Sequence, residues 1–239
     1  MLRLSRAAGI FAQNQNDGQK NGSQNQSVVY FTRNVSSAGL LKVFRALNQK
    51  IEGNVGIKVS FGGPDEEVLQ PELLRDLVRT TGGTMFDGNG LSGNRRTSEM
   101  NLSHARRHGF MEIGKCIIHS GGTDENHYHS IPADVLEKSF ADAAKAALDY
   151  KKNWAFINVL DDIEPNDNCR GAKNLGEIGI IASNDIVALE QCTLDFVIEK
   201  ADVDSAAKAE WKAAHRVGMV EQLEKLGGGT RNYRLVEVK

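Results

Sequence analysis

From Ser27 onward, short apolar runs alternate with stretches whose apolar residues recur at helical spacing, and this alternation restricts the fold more than any other feature. Val28–Thr32, Val55–Phe61, Thr84–Phe86, Ile113–His119, Trp154–Leu160 and Glu177–Ala182 read as strands. Between them, Leu40, Leu41, Phe44 and Leu47 make one helical stripe, and Leu73, Leu74, Leu77 and Val78 make another. Ser36 or Ser37 can cap the first helix, and Pro71 suits the first turn of the second. Further helices are expected over Ser98–His108, from Pro132 to Tyr150, and over Asp185–Lys200, Ser205–Ala214 and Val217–Lys225. A final strand is expected at Tyr233–Val238. Strands that alternate with helices need crossover connections. The expectation is an α/β fold, with a largely parallel or mixed sheet carrying helices on both faces, in a single domain over residues 27–239.

Residues 1–26 differ from the rest. Arg3 and Arg6 precede any acid, which first appears at Asp17, and a polar low-complexity tract follows. The segment reads as a disordered extension or as an organelle-targeting leader. The corresponding expectation is a cytoplasmic protein, or one of an organelle matrix (mitochondrion-related) if the leader is real. A net charge of −2 in 239 residues gives no reason to expect nucleic acid or a membrane surface as partner. No apolar run approaches the ~20 residues that span a bilayer. Three cysteines argue for a reducing compartment rather than a disulfide framework.

Several polar clusters carry candidate chemistry. Gly88-Asn89-Gly90-Leu91-Ser92-Gly93 follows a strand and matches G-x-G-x-x-G. It reads as a dinucleotide fingerprint, as a loop whose N–H groups hold a carboxylate or phosphate with Arg95 and Arg96, or as a plain turn. Asn94-Arg95-Arg96-Thr97 delays the next helix, and no ribose-binding acid follows, which weighs against the fingerprint. His104 and His108 stand four apart on a helix, the spacing of a two-histidine metal site or of two solvated imidazoles. His119, His127 and His129, with Asp124 and Glu125, form a second cluster suited to a borderline metal or to a polar loop. Cys169 lies in a loop with Asp161, Asp162, Glu164 and Asp167, which reads equally as a ligand set or a solvated acidic turn. A four-thiolate iron–sulfur cluster is not expected from this chain, because only Cys116, Cys169 and Cys192 exist and Cys192 belongs to an apolar helix face. No G-x-S-x-G, P-loop lysine or His-Glu-x-x-His motif is present.

Taken in order, these residues resemble the domain-of-unknown-function family 362, whose members are often labelled iron–sulfur-centre proteins. The similarity runs through Val29–Arg33, Gly53–Lys58, Pro71–Leu73, Gly83-Thr84, Asn89, Gly93, Arg95 and His108–Phe110. It continues through Gly114-Lys115, His119–Gly122, Ile157–Val159, Cys169, Ile178–Ile180 and Asp185 to Leu226-Gly227. Departures are systematic. Ser60 and Asn101 stand where relatives carry histidines, Gly63 replaces a glutamate, and Asp167-Asn168-Cys169 replaces Cys-Asp-Cys. A segment of several dozen residues, which relatives carry after the counterpart of Phe110, is reduced to Met111-Glu112-Ile113. Its loss is expected to expose apolar sheet edges.

The resemblance implies a shortened, degenerate relative in redox or metal handling. It would bind a small anion through Lys115, Asn89, Gly93 and Arg95, and a single iron or zinc ion through Cys169, Asp167 and His119. A metal-dependent enzyme, with the ion as Lewis acid, and a non-catalytic paralogue acting through protein contacts are the alternatives. A second copy of the chain or another protein is left open as partner.

Overall fold

The computed structural model describes residues 7–11, 26–51, 53–89, 93–119, 132–150, 153–161, 163, 175–200 and 217–239. Its strands are β1 (Ala7–Phe11), β2 (Ser27–Thr32), β3 (Gly56–Lys58), β4 (Thr84–Gly88), β5 (Cys116–His119), β6 (Trp154–Leu160), β7 (Gly179–Ser183) and β8 (Tyr233–Glu237). Its helices are α1 (Ser37–Ala46), α2 (Arg75–Thr81), α3 (Ser98–Arg107), α4 (Phe110–Ile113), α5 (Ala133–Tyr150), α6 (Ile186–Lys200) and α7 (Gly218–Lys225). The strands form one mixed sheet in the order β5-β4-β3-β1-β6-β7-β2-β8. The α/β expectation holds.

Burial of both sheet faces follows from the period of two along each strand. Ala155, Ile157 and Val159 of β6 and Ile180 and Ala182 of β7 join Ile57, Met85 and the α1 and α2 side chains in the largest core. The alternate residues Phe156, Leu160 and Ile181 join Val29, Phe31 and α6 residues Ala188, Leu189 and Cys192 on the other face. Helices therefore cover both faces, as expected. Local signals place them: Ser36 accepts from the Gly39 amide to start α1, and Asp185 accepts from Val187 and Ala188 amides to start α6. Pro71 opens a 3₁₀ turn, Pro71–Leu74, which leads into α2.

One expectation gives way. Ala7–Phe11, read as part of an extension outside the fold, forms β1 in the interior of the sheet. It pairs antiparallel with β3 on one side and β6 on the other. Its stability comes from hydrogen bonds to residues far along the chain, which local composition does not reveal. The third strand is also shorter than expected, since Val55–Phe61 yields a ladder only over Gly56–Lys58. The chain turns at Gly62, whose φ is +70° and where an added Cβ would overlap Val68 Cγ1. The helix expected at Ser205–Ala214 lies outside the described residues. With the connection after Phe110 as short as the sequence reads, α3 and the single turn α4 link β4 to β5, and among the described strands the four-residue β5 forms the edge.

Strand direction organises the remainder. β3, β4 and β5 are mutually parallel, and β1 is antiparallel to both β3 and β6. With β7 antiparallel to β6 and β2, and β8 parallel to β2, six of the eight described strands run one way. The carboxyl ends of β3, β4, β5 and β6 consequently share one edge. That edge is where open α/β sheets place ligands.

Candidate functional site at the carboxyl edge of the sheet

Asp87, the penultimate residue of β4, is 3% exposed. Its Oδ1 accepts from Lys58 Nζ at 2.7 Å and from the Gly88 amide at 2.8 Å. Its Oδ2 accepts from the Phe61 amide at 2.8 Å and from Arg95 Nη2 at 2.9 Å. Four donors match the four acceptor sites of a carboxylate. Burial pushes the Asp87 carboxyl up, but the charge and hydrogen bond of Lys58 and the amides of Phe61 and Gly88 outweigh it, leaving it below its ordinary value. The carboxylate thereby ties the end of β3, the turn after β4 and the 3₁₀ turn at Gly93–Arg95 to one point.

A second tie comes from α3. Thr97 caps this helix by accepting from the Met100 amide, so Asn94–Thr97 delays it as the sequence suggested. Asn101 is fully buried, and the two N–H groups of its Nδ2 are shared among Arg95 O at 2.7 Å, Thr97 O at 2.9 Å and Asn89 Oδ1 at 3.1 Å. Its Oδ1 faces Arg95 Nε at 3.4 Å. One turn further, His104 Nε2 meets Asn94 O at 2.9 Å, and His108 Nδ1 meets Phe61 O at 2.8 Å. A carbonyl accepts only, so each of those ring nitrogens carries the proton. His104 is buried, which overturns its reading as a solvated imidazole. The two histidines hold two different loops. Among the described residues no group of three or more His, Cys, Asp or Glu side chains is arranged to hold a metal.

The residues read from the sequence as a binding set divide accordingly. Asn89, Gly93 and Arg95 are brought together on this edge, with Asn101 between them. His119 ends β5 opposite Gly88 in the ladder, next to Asn89 in the chain, so its backbone joins the same edge. Lys115 does not: it precedes β5 and lines a groove with Gly56 and Thr84 at the start of β3 and β4, the opposite edge. Asp167 and Cys169 lie outside the described residues. The base of their loop is described, however, and it is closed by Leu175 N–H to Ile163 O at 2.9 Å and Ile178 N–H to Leu160 O at 2.8 Å. That base leaves the sheet at the carboxyl end of β6, on the shared edge.

Asp87, Lys58 and Glu66 were not singled out by sequence reasoning. The available signal was an acid at a strand's end just before a glycine turn, which has meaning only once β3 and β4 are known to be neighbours.

The described cysteines do not suit a four-thiolate cluster. Burial pushes the Cys116 thiol up to about 11 and Cys192 up to about 12, and the two pack in the two different cores. Cysteines packed in cores on opposite sheet faces do not meet at one cluster. The residues do not fit a four-thiolate group.

Fold and site together define a mixed α/β domain with a buried polar hub at the carboxyl edge of its sheet. Residues 100–195 match the family described as Domain of unknown function (DUF362). The matched span, less than half of the chain, runs from within α3 into α6 and contains Asn101, His104, His108 and Cys169. It leaves out Lys58, Glu66, Asp87 and Arg95. No curated protein and no solved structure matches the chain. Among the described residues, no helix is long and apolar enough to cross a membrane.

Proposed function

We propose that the protein is a binding module that takes a small anion at the carboxyl edge of the sheet, between Arg95 and the Gly88-Asn89 turn. The observation that carries this reading is the position of Arg95. Its Nη2 is fixed by Asp87, while among the described residues Nη1 faces Glu66, at 3.8 Å, beyond hydrogen-bond distance. A guanidinium has five donors in a rigid fork, and the Nη1 pair is the part left for a ligand. Lys58, Asp87 and Arg95 carry a net charge of +1, so the Glu66 carboxylate stands where an anionic ligand would stand. Helix α3 supports the site by fixing Asn89 and Arg95 O through one buried amide.

Titration calorimetry with inorganic phosphate and with pyrophosphate tests this reading. Arg95→Ala is expected to abolish binding, and Glu66→Gln, which removes the resident competitor, to tighten it several-fold. Equal affinity of wild type and Arg95→Ala would sink the proposal.

The metal form of the reading, with one iron or zinc ion on Cys169, Asp167 and His119 in redox or metal handling, makes a harder geometric demand. From β5 to β6 is four strand spacings, about 19 Å. The six residues from Ile163 to Cys169 reach about 20 Å when fully extended. A His119–Cys169 site therefore needs the backbone, the two side chains and the metal bonds together to span that gap, whereas the anion site needs no such span. Metal analysis of anaerobically purified protein decides it: stoichiometric iron or zinc, lost in Cys169→Ala and in His119→Ala, supports the ion. Metal-free folded protein removes it and leaves the anion site standing.

A further inference from the structure

The opposite edge of the same three strands carries a different arrangement. Ile57 and Met85 turn into the larger core, so their neighbours Gly56, Thr84 and Phe86, with Ile117 paired to Phe86, turn to the other face of the sheet. Among the described residues, α6 packs on β2, β6 and β7, and α7 packs on α5 and α6, rather than there. Ile117 is 44% exposed. A groove of about 390 Å³ lies over this surface, lined among others by Asn54, Gly56, Thr84, Phe86, Lys115 and Ile117. That volume falls in the range of small-molecule sites.

Chemistry singles out one class of occupant. Lys115 is the only charged side chain among the described residues lining the groove, and no described acid pairs with it. The floor beside it is aromatic and aliphatic, with a threonine and an asparagine at the margin. Gly56, in the strand itself, adds no side chain to the floor. Both walls are held to β4, since Thr84 N–H donates to Val55 O and Met85 N–H donates to Lys115 O, each at 2.9 Å. The groove therefore keeps its shape without a ligand, which lowers the ordering cost of binding.

We propose that this groove binds a small organic anion with a flat apolar body, its carboxylate or sulfonate at Lys115 and its hydrocarbon on Phe86 and Ile117. The site is separate from the Arg95 edge and does not depend on the reading given for it.

The test uses the full chain and the probe 8-anilinonaphthalene-1-sulfonate, followed by fluorescence and by amide chemical shifts. Saturable binding at one site is expected, with shifts concentrated at Asn54, Gly56, Gly82 and Ile117. Lys115→Glu and Ile117→Ser should each weaken it about tenfold or more. Arg79→Glu, the same charge change on α2 on the opposite face, should leave it unaltered. If Lys115→Glu melts early, Lys115→Gln carries the same comparison. Unchanged affinity in the Lys115 variants, or shifts confined to other parts of the chain, overturns the proposal. The latter result would mean that the Lys115 stem merely covers Phe86 and Ile117 as a solvated surface residue.

Discussion

Asp87 Oδ1 accepts a hydrogen bond from Lys58 Nζ at 2.7 Å across two neighbouring parallel strands, and the same carboxylate holds Arg95 from its other oxygen. Asp87→Asn removes the charge that two cations share and swaps one acceptor for a donor facing other donors. The expected loss is about 3 kcal/mol, the low end for breaking a buried ion pair, because Lys58 is about a third exposed. Urea midpoints should fall with little change in slope.

The same carboxylate gives a pH signature. Its folded-state value lies below its ordinary 3.8, so its contribution is complete above that value and is lost as pH falls through the lower, folded value. Wild type should therefore lose stability relative to Asp87→Asn only on the acid side of about pH 4. Urea midpoints of both proteins at pH 7, 5 and 3 provide the check. A difference that shrinks between pH 7 and 5 would assign the effect to another group.

Gly62 and Gly82 both have left-handed φ, +70° and +61°, but their surroundings differ. A Cβ at Gly82 meets nothing within 4 Å, whereas one at Gly62 runs into Val68 and touches His108. Gly82→Ala should cost about 1 kcal/mol from backbone strain alone. Gly62→Ala should cost about 2–4 kcal/mol, strain plus overpacking. Equal costs in chemical denaturation would show that the 60–63 turn is looser than its packing indicates.

Asn101→Leu keeps the volume and deletes every donor. It strands Arg95 O and Asn89 Oδ1, while Thr97 O keeps the backbone amide of residue 101, and a loss of about 2 kcal/mol is expected. Phosphate affinity at Arg95 should drop with it, because the side chain that fixes the turn is gone. A variant with full stability and intact binding would remove Asn101 from the site.

Cys116 and Cys192 should be nearly inert in the folded state. With a thiol at about 11, roughly one Cys116 in a thousand is thiolate at pH 8. Ellman's reagent should titrate both only after urea is added, and folded Cys169→Ala should show no fast-reacting thiol. A fast phase in that variant contradicts the burial of the other two.

Removal of residues 1–11 should be severe, because it opens the inner edges of β3 and β6 at once. Loss of a cooperative melt, with light scattering on warming, is the expected outcome. A truncated chain that melts like the intact one would place β1 outside the folded unit.

Legibility in the sequence followed the range of the interactions. Trp154–Leu160 was readable to the residue because its apolar run is the strand, and Thr97 stops the delay before α3 by a local cap. Asn89, Gly93 and Arg95 were readable as a set because a single turn carries them. Their partners were not: Asp87 finds Lys58 only through strand pairing, and Asn101 reaches Asn89 only through the packing of α3. Lys115 joins the others only through the resemblance, and entering a strand and leaving one are opposite ends of the sheet.

The position of β1 has a consequence for how the protein is made. This strand is closed on one side by β3 but on the other only by β6, since Ala7 pairs with Asn158. Until the ribosome has passed Leu160, the amino-terminal strand has an open edge and the parallel half has no seam to the rest. The two halves of the sheet are thus joined at β1 through pairings distant in sequence, the kind of contact that slows folding.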